Sequence, residues 1–236
     1  MTAVVVLIAT MLDPNASVAQ RNDACYALRG ERSAEAVKAF GQALGDRVVR
    51  ACAARDLRAA GGIDELIAGL ADTDADIQMA AARELGEMRD ARALEALGRA
   101  ALDVNMMVAA SAIDALGARG DQSALPYLLG AAVQPGVPGI HALEQAARLN
   151  DPAVLPIARG VIEKGDIAGQ VVALTILGDF GDASDLPKLR ELAAKSDPVY
   201  SRGRGFGFMP PIDPGRAAQN AMAKINARVL HATQVP

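Results

Sequence analysis

Six alanines fall in one column of this chain: Ala24, Ala53, Ala81, Ala112, Ala142 and Ala173, at spacings of 29, 28, 31, 30 and 31. Four residues after each stands an anchor: Leu28, Leu57, Leu85, Leu116, Ala146 and Leu177. Nine residues later comes a second: Val37, Leu66, Leu94, Leu125, Leu155 and Leu186. Positions four apart share one helical face. A period near thirty with fixed apolar positions marks helix pairs stacked on their neighbours. The anchor fills the space between the two helices of a pair. One turn earlier the helices cross, and a small side chain lets the backbones approach to about 8–10 Å.

Other columns follow the same register. Asp90, Asp121, Asp151 and Asp182 each open a new apolar run, as a helix N-cap does. Pro126, Pro156 and Pro187 come directly after their second anchors, in a first turn that tolerates proline. The reading is all-α. First helices are expected over Ala16–Arg29, Asp46–Ala60, Ala75–Met88, Asn105–Arg119, Ile140–Leu149, Ile167–Phe180 and Gly215–His231. Second helices are expected over Ser33–Leu44, Asp64–Ala71, Arg92–Leu102, Ala124–Ala132, Ala153–Lys164 and Asp185–Ala194. Two joints break the pattern. At Gln134–Gly139, "QPGVPG" is expected to shorten the fifth first helix. At 196–214, "SDPVYSRGRGFGFMPPIDP" is far longer than the other joints.

The phrases "AAARELGEMRDARALEALGRAALD", "AASAIDALGARGDQSALPYLLGAA" and "VALTILGDFGDASDLPKLRELAAKSD" resemble HEAT repeats, closest to the short bacterial kind named after phycobilisome lyases. The resemblance spans about Asn15 to Lys195 plus a final helix. It implies an α-solenoid, a right-handed superhelix of about six antiparallel helix pairs with a C-terminal helix, and it says little about function. The Arg of that family's unit stands at Arg50 and at the same offset at Arg21. Gln78, Ala109, Gly139 and Gln170 replace it elsewhere, so any ladder of Asp–Arg bonds is expected to be broken.

Composition narrows the function classes. Apolar residues make up 51% of the 236 residues and aromatics 3%, which suits thin helices in layers and not a sheet protein. A net charge of −4 argues against a nucleic-acid footprint. His141 and His231 are the only histidines, and no Cys/His spacing fits a zinc site. No catalytic, cofactor or metal residues are expected. The reading is a non-catalytic scaffold that binds a protein or peptide. Second helices would line the concave side with Lys38, Gln42, Glu95, Arg99, Tyr127, Arg159, Glu163 and Lys188. The long joint would add Tyr200, Arg202, Arg204, Phe206, Phe208 and Met209, residue types enriched at binding hot spots or able to cover the end of the array. The resemblance leaves a second class open: a phycobilin-lyase-like or chaperone-like subunit handling a tetrapyrrole or its carrier protein.

The first nineteen residues have two readings. Val4–Leu12 is apolar and "SVA" before Gln20 resembles a signal-peptidase site, although no basic residue precedes the run. Alternatively Val4–Leu12 is the second helix of a partial first repeat, and it is too short to span a membrane. Residues 20–236 form a single array on either reading. Cys25 and Cys52 flank the inward Ala column on opposite sides. They either face each other across adjacent first helices as a disulfide, which needs an oxidising compartment, or remain buried thiols. An exported location is slightly favoured over the cytoplasm.

Overall fold

The computed structural model describes residues 3–195 and 213–234, with side chains to residue 231. Tyr200, Arg202, Arg204, Phe206, Phe208 and Met209 lie outside the described residues. Within them the chain is helical and no strand is present.

Residues up to Gln134 form one compact unit. It contains α1 (Ala3–Leu12), α2 (Val18–Ala27), α3 (Ala34–Ala43), α4 (Arg50–Ala60), α5 (Ile63–Leu70), α6 (Ala75–Gly86), α7 (Ala91–Ala100), α8 (Met106–Ala118) and α9 (Leu125–Ala132). Each helix packs on the next but one, and from α3 onward each also packs on its neighbour in sequence, the arrangement of stacked pairs. Even-numbered helices are the first of each pair. Helix α1 packs on α2 and α3, where the second helix of a preceding pair would sit. From Pro135 onward a second compact unit holds α10 (Val137–Arg148), α11 (Leu155–Lys164), α12 (Ile167–Phe180), α13 (Leu186–Ala193) and α14 (Pro214–Gln234). There α12 packs on α10 and α11, and α14 packs on α12 and α13.

All six column alanines and all six anchors are buried. Of the second anchors Leu66 is fully buried, and the others are less enclosed: Leu94 and Leu125 are 8% exposed, and Val37, Leu155 and Leu186 are half-buried. In those five helices the deepest position lies three residues on, at Phe40, Leu97, Leu128, Ala158 and Leu189, none of them exposed. This is the next turn of the same face.

The aspartate column caps as its chemistry dictates. Asp90 accepts from the Arg92 N–H at 2.7 Å, and Asp121, Asp151 and Asp182 accept from the N–H two residues on at 3.1, 2.8 and 2.8 Å. After the last three caps comes a short 3₁₀ turn, and then Pro126, Pro156 and Pro187 in the first turns of α9, α11 and α13. Two expected helix starts move by three residues or more. Helix α4 starts at Arg50, because residues 46–49 make a separate turn whose Asp46 carboxylate accepts from the Val48 N–H at 2.8 Å. Helix α10 starts at Val137 and is not shortened: Pro138 occupies its first turn, and Gly136 supplies the entry conformation with φ of 85°.

Candidate functional site

One column links neighbouring pairs by capping helix ends. The last carbonyls of a helix lack intrahelical partners. Arg21 Nε donates to the Met11 carbonyl at 3.1 Å, at the end of α1. Arg50 Nε donates to the Leu44 carbonyl at 2.7 Å, just past α3. Gln78 Nε2 reaches the Leu70 carbonyl and Gln170 Nε2 the Ile162 carbonyl, both at 3.3 Å. The two arginines also reach forward to acids: Arg21 to Asp46, and Arg50 to Asp76 at 3.1 Å and Asp74 at 3.5 Å. The ladder is therefore divided in two. Gln keeps the carbonyl cap and drops the ion pair, while Ala109 and Gly139 can supply neither.

The second-helix residues expected to meet a partner separate into used and free groups. Tyr127 is half-buried against α7; a Cβ on Gly98 would lie 2.0 Å from its Cδ1, so the ring occupies the space that glycine leaves. Arg159 donates to both Asp185 carboxylate oxygens, Nε at 2.8 Å and Nη2 at 3.0 Å, tying α11 to the turn before α13. Lys188 pairs with Glu191 at 3.0 Å, and Lys195 meets the same carboxylate at 2.7 Å. These two cations hold the Glu191 carboxyl down to about 2. Lys38 and Gln42 on α3 and Glu163 on α11 are exposed. Arg99 and Glu95 form an exposed pair at 2.6 Å on α7. An exposed pair of this kind adds little stability and is cheaply exchanged for a ligand's charges.

Arg99 borders a groove of about 330 Å³ between α5 and α7, with Ile67, Leu70 and Ala96 as its apolar lining and Gln78 and Asp103 at its edge. Directly beyond Asp103 lies an apolar cluster that the sequence reading missed. Leu102 is 52% exposed, Val104 100%, Met106 64% and Met107 64%. The turn is built locally: the Asn105 N–H donates to Asp103 Oδ1 at 2.7 Å, and the Met107 N–H donates to Asn105 Oδ1 at 3.0 Å. The preceding repeat makes the same turn with "ADTDAD", where Asp72 accepts from the Asp74 N–H and Asp74 from the Asp76 N–H, each at 2.8 Å. Leu102, Val104, Met106 and Met107 thus stand where the neighbouring turn has Ala71, Thr73, Ala75 and Asp76. The turn does not need apolar residues to form. Lining up the two inter-repeat turns in the sequence would have exposed the contrast.

Catalytic geometry is thin. His141 lies 3.9 Å from Glu144 on α10, one exposed-side helical pair. Among the described residues, the one group of three His, Cys, Asp or Glu side chains close enough to share an ion is Cys25, Cys52 and Asp56, all buried. The structure bonds its two cysteines to each other, with Cα atoms 6.4 Å apart. No helix of the described residues is long and apolar enough to cross a membrane.

No curated protein matches the chain. Solved structures that the chain resembles include the following three. The complex of CpcE and CpcF of phycocyanin lyase from Nostoc sp. has 20% identity and a TM-score of 0.44, over 96% of this chain and 95% of that one. Human deoxyhypusine hydroxylase in complex with glycerol has 16% identity and a TM-score of 0.42, over 95% and 96%. An engineered protein has 17% identity and a TM-score of 0.45, over 96% and 100%. Scores at this level carry no functional argument, and the helical-repeat fold rests on the packing described above. Residues 63–139, from α5 into α10, match the family model of HEAT repeats.

Proposed function

We propose that this protein is a non-catalytic scaffold that binds a segment of a partner protein along the α5–α7 groove, anchored on the apolar turn Leu102–Met107. The observation that carries the reading is the contrast between two turns of identical hydrogen bonding. One is polar, and the other, beside the groove, exposes two methionines, a leucine and a valine with no structural need for them. Methionine and arginine are enriched at interfaces, and methionine adapts its shape to a partner. Arg99, Glu95 and Asp103 supply charge beside this patch. The partner segment accordingly carries an apolar side chain next to charged ones.

The test is site-specific photo-crosslinking from position 102 or 106, with position 163 on α11 as the control. One discrete protein adduct from the first two and none from the third supports the reading. Leu102→Asp with Met106→Asp should then weaken binding of the identified partner by tenfold or more, about 1.4 kcal/mol or above. Because both side chains are exposed, melting should hold. Undiminished affinity in the double variant overturns the assignment.

Location forms part of the same proposal. A disulfide between Cys25 and Cys52 persists in an oxidising compartment, which favours an exported protein. Thiols blocked at lysis in the native source, followed by intact mass, decide this: two alkylated cysteines would place the protein in a reducing compartment.

A further inference from the structure

Beneath α2, α4 and α6 lies a carboxyl group with an unusual set of neighbours. Asp56, on α4, is 2% exposed. Its Oδ2 stands 3.4 Å from Cys52 Sγ and 3.9 Å from Cys25 Sγ. Cys25 is wholly buried and Cys52 is 5% exposed. A bonded sulfur has no proton to donate, so in the disulfide state these contacts give the carboxyl no hydrogen bond. The charged groups that act on Asp56 are Arg55 on its own helix, Arg29 just past α2, and Glu84 on α6; α3 and α5 present none that shifts it. Neither arginine pairs with it. Both stack on the Tyr26 ring, at 5.5 and 5.8 Å, and Glu84 is held by Arg58 at 2.7 Å.

A carboxyl in that position holds a proton more readily than one in water. Burial pushes it up, with Arg55 and Arg29 opposing and Glu84 reinforcing. Reduction changes its surroundings. Two thiols then stand within reach of Oδ2, and donors of this kind favour the ionised form. We infer that Cys25, Cys52 and Asp56 form a proton-coupled redox site for exchange with a dithiol, in which Asp56 stores a proton in the disulfide state and yields it on reduction.

The steps balance as follows. A thiolate of the dithiol attacks Cys52 Sγ, the less enclosed sulfur, forming a mixed disulfide and releasing Cys25 as thiolate. The protonated Asp56 carboxyl gives its proton to that thiolate, leaving a carboxylate that accepts hydrogen bonds from the thiols. The second thiolate of the reductant attacks its own mixed-disulfide sulfur. This releases Cys52, which takes a proton from solvent, and the reductant departs as its disulfide. Two electrons enter the protein. The two thiols gain two protons, one of them from Asp56, so the protein gains one net. The reductant loses two, and one proton is released to solution.

That released proton gives a signature. An uncoupled disulfide equilibrated with a small dithiol has an exchange constant that does not vary with pH while all thiols stay protonated. Here the constant should rise tenfold per pH unit towards the reduced protein, about 30 mV per unit for two electrons. The rise should span the interval between the carboxyl's titration in the dithiol form and its titration in the disulfide form.

The experiment equilibrates the whole protein with dithiothreitol and its cyclic disulfide from about pH 5 to about pH 8. The mixtures are acid-quenched, alkylated and weighed intact. The expected result is the tenfold slope in the native protein and no slope in Asp56→Asn. A flat native profile, or the same slope in the variant, overturns the proposal. If Asp56→Asn does not fold, infrared spectra of the native protein decide. The carbonyl band of a neutral carboxylic acid should be present in the disulfide form and absent from the dithiol form at one pH inside the window. A band unchanged by reduction overturns the proposal.

Discussion

Replacing Arg50 by alanine and by glutamine separates two jobs that one side chain performs. Its guanidinium is almost fully enclosed, with the residue 9% exposed. Nε donates to the Leu44 carbonyl at 2.7 Å, and the Nη atoms lie 3.1 and 3.5 Å from Asp76 and Asp74. A hydrogen bond from a charged donor contributes about 1.5–3 kcal/mol. The two acids are 61% and 48% exposed, so the ion pairs together contribute about 1 kcal/mol or less. Alanine removes everything, including the packed stem, and should destabilise by about 2–4 kcal/mol. Glutamine is the residue that caps Leu70 and Ile162 from Gln78 and Gln170, so it should keep the cap as a neutral hydrogen bond and cost about 1–2 kcal/mol. Urea denaturation of the three proteins measures this, with the midpoint shifting at constant slope. Raising the salt should narrow the gap between native and each variant and leave the difference between Arg50→Gln and Arg50→Ala unchanged. If glutamine proves as damaging as alanine, the carbonyl cap is not what this column provides.

Three further outcomes follow from particular contacts. Gly98→Ala places a methyl where Tyr127 now lies and should destabilise by about 1–3 kcal/mol despite alanine's better helix propensity; adding Tyr127→Ala should make the glycine substitution harmless, as thermal melts of the four-protein cycle would show. Arg21, hydrogen-bonded to Asp46, holds that carboxyl below its usual range. Its contribution is therefore complete above the ordinary aspartate pKa and is lost as pH falls through the lowered folded value; Asp46→Asn should cost at most about 1 kcal/mol at neutral pH and nothing in strong acid. Replacing residues 201–212 by a Gly-Ser linker should reduce capture of the crosslinked partner if Phe206, Phe208 and their arginines add to the binding surface, measured by titration; unchanged affinity at unchanged melting removes the segment from that role.

Much of the fold is legible because helix pairing depends on local periodicity. Ala112 and Leu116 sit one turn apart, so their common face follows from the backbone repeat alone, and both are fully buried. Asp121 reads as a cap because a side chain that hydrogen-bonds its own backbone needs no distant partner. What was not legible depends on neighbours. Leu125 and Leu128 look equivalent in sequence, and the stacking of the adjoining pair makes Leu128 the deeper. Arg159 reads as an exposed recognition residue, and only the approach of the turn bearing Asp182 and Asp185 commits it to packing. The candidate site was missed for the opposite reason. Leu102 and Val104 lie in the joint before α8, where helical periodicity assigns no inward or outward face, and Met106 and Met107 open α8 ahead of its first buried residue, Val108, so their apolar character raised no conflict until their exposure was known.

The links between neighbouring pairs are graded along the first unit, and the grading predicts how it opens. Helices α2 and α4 share a covalent bond closing a sequence separation of 27, and Arg21 and Arg50 each join a preceding helix end to a following acid. At α6 the column holds Gln78, which caps one carbonyl, and at α8 it holds Ala109, which caps none. Repeat arrays are stabilised by their own units and by nearest-neighbour interfaces. A disulfide closing a loop of this size contributes about 3–4 kcal/mol in the chain-entropy account. Substituting both cysteines by alanine should therefore lower protection of the amides in α2–α4 by two orders of magnitude or more, at about 1.4 kcal/mol per decade. Amides in α8 and α9 should change little, because neither helix touches the bond. Hydrogen exchange read by mass spectrometry, peptide by peptide, measures the gradient. A uniform loss across α2–α9 would mean that the unit opens as one cooperative block, and the groove beside α7 could not then loosen or hold independently of the disulfide end.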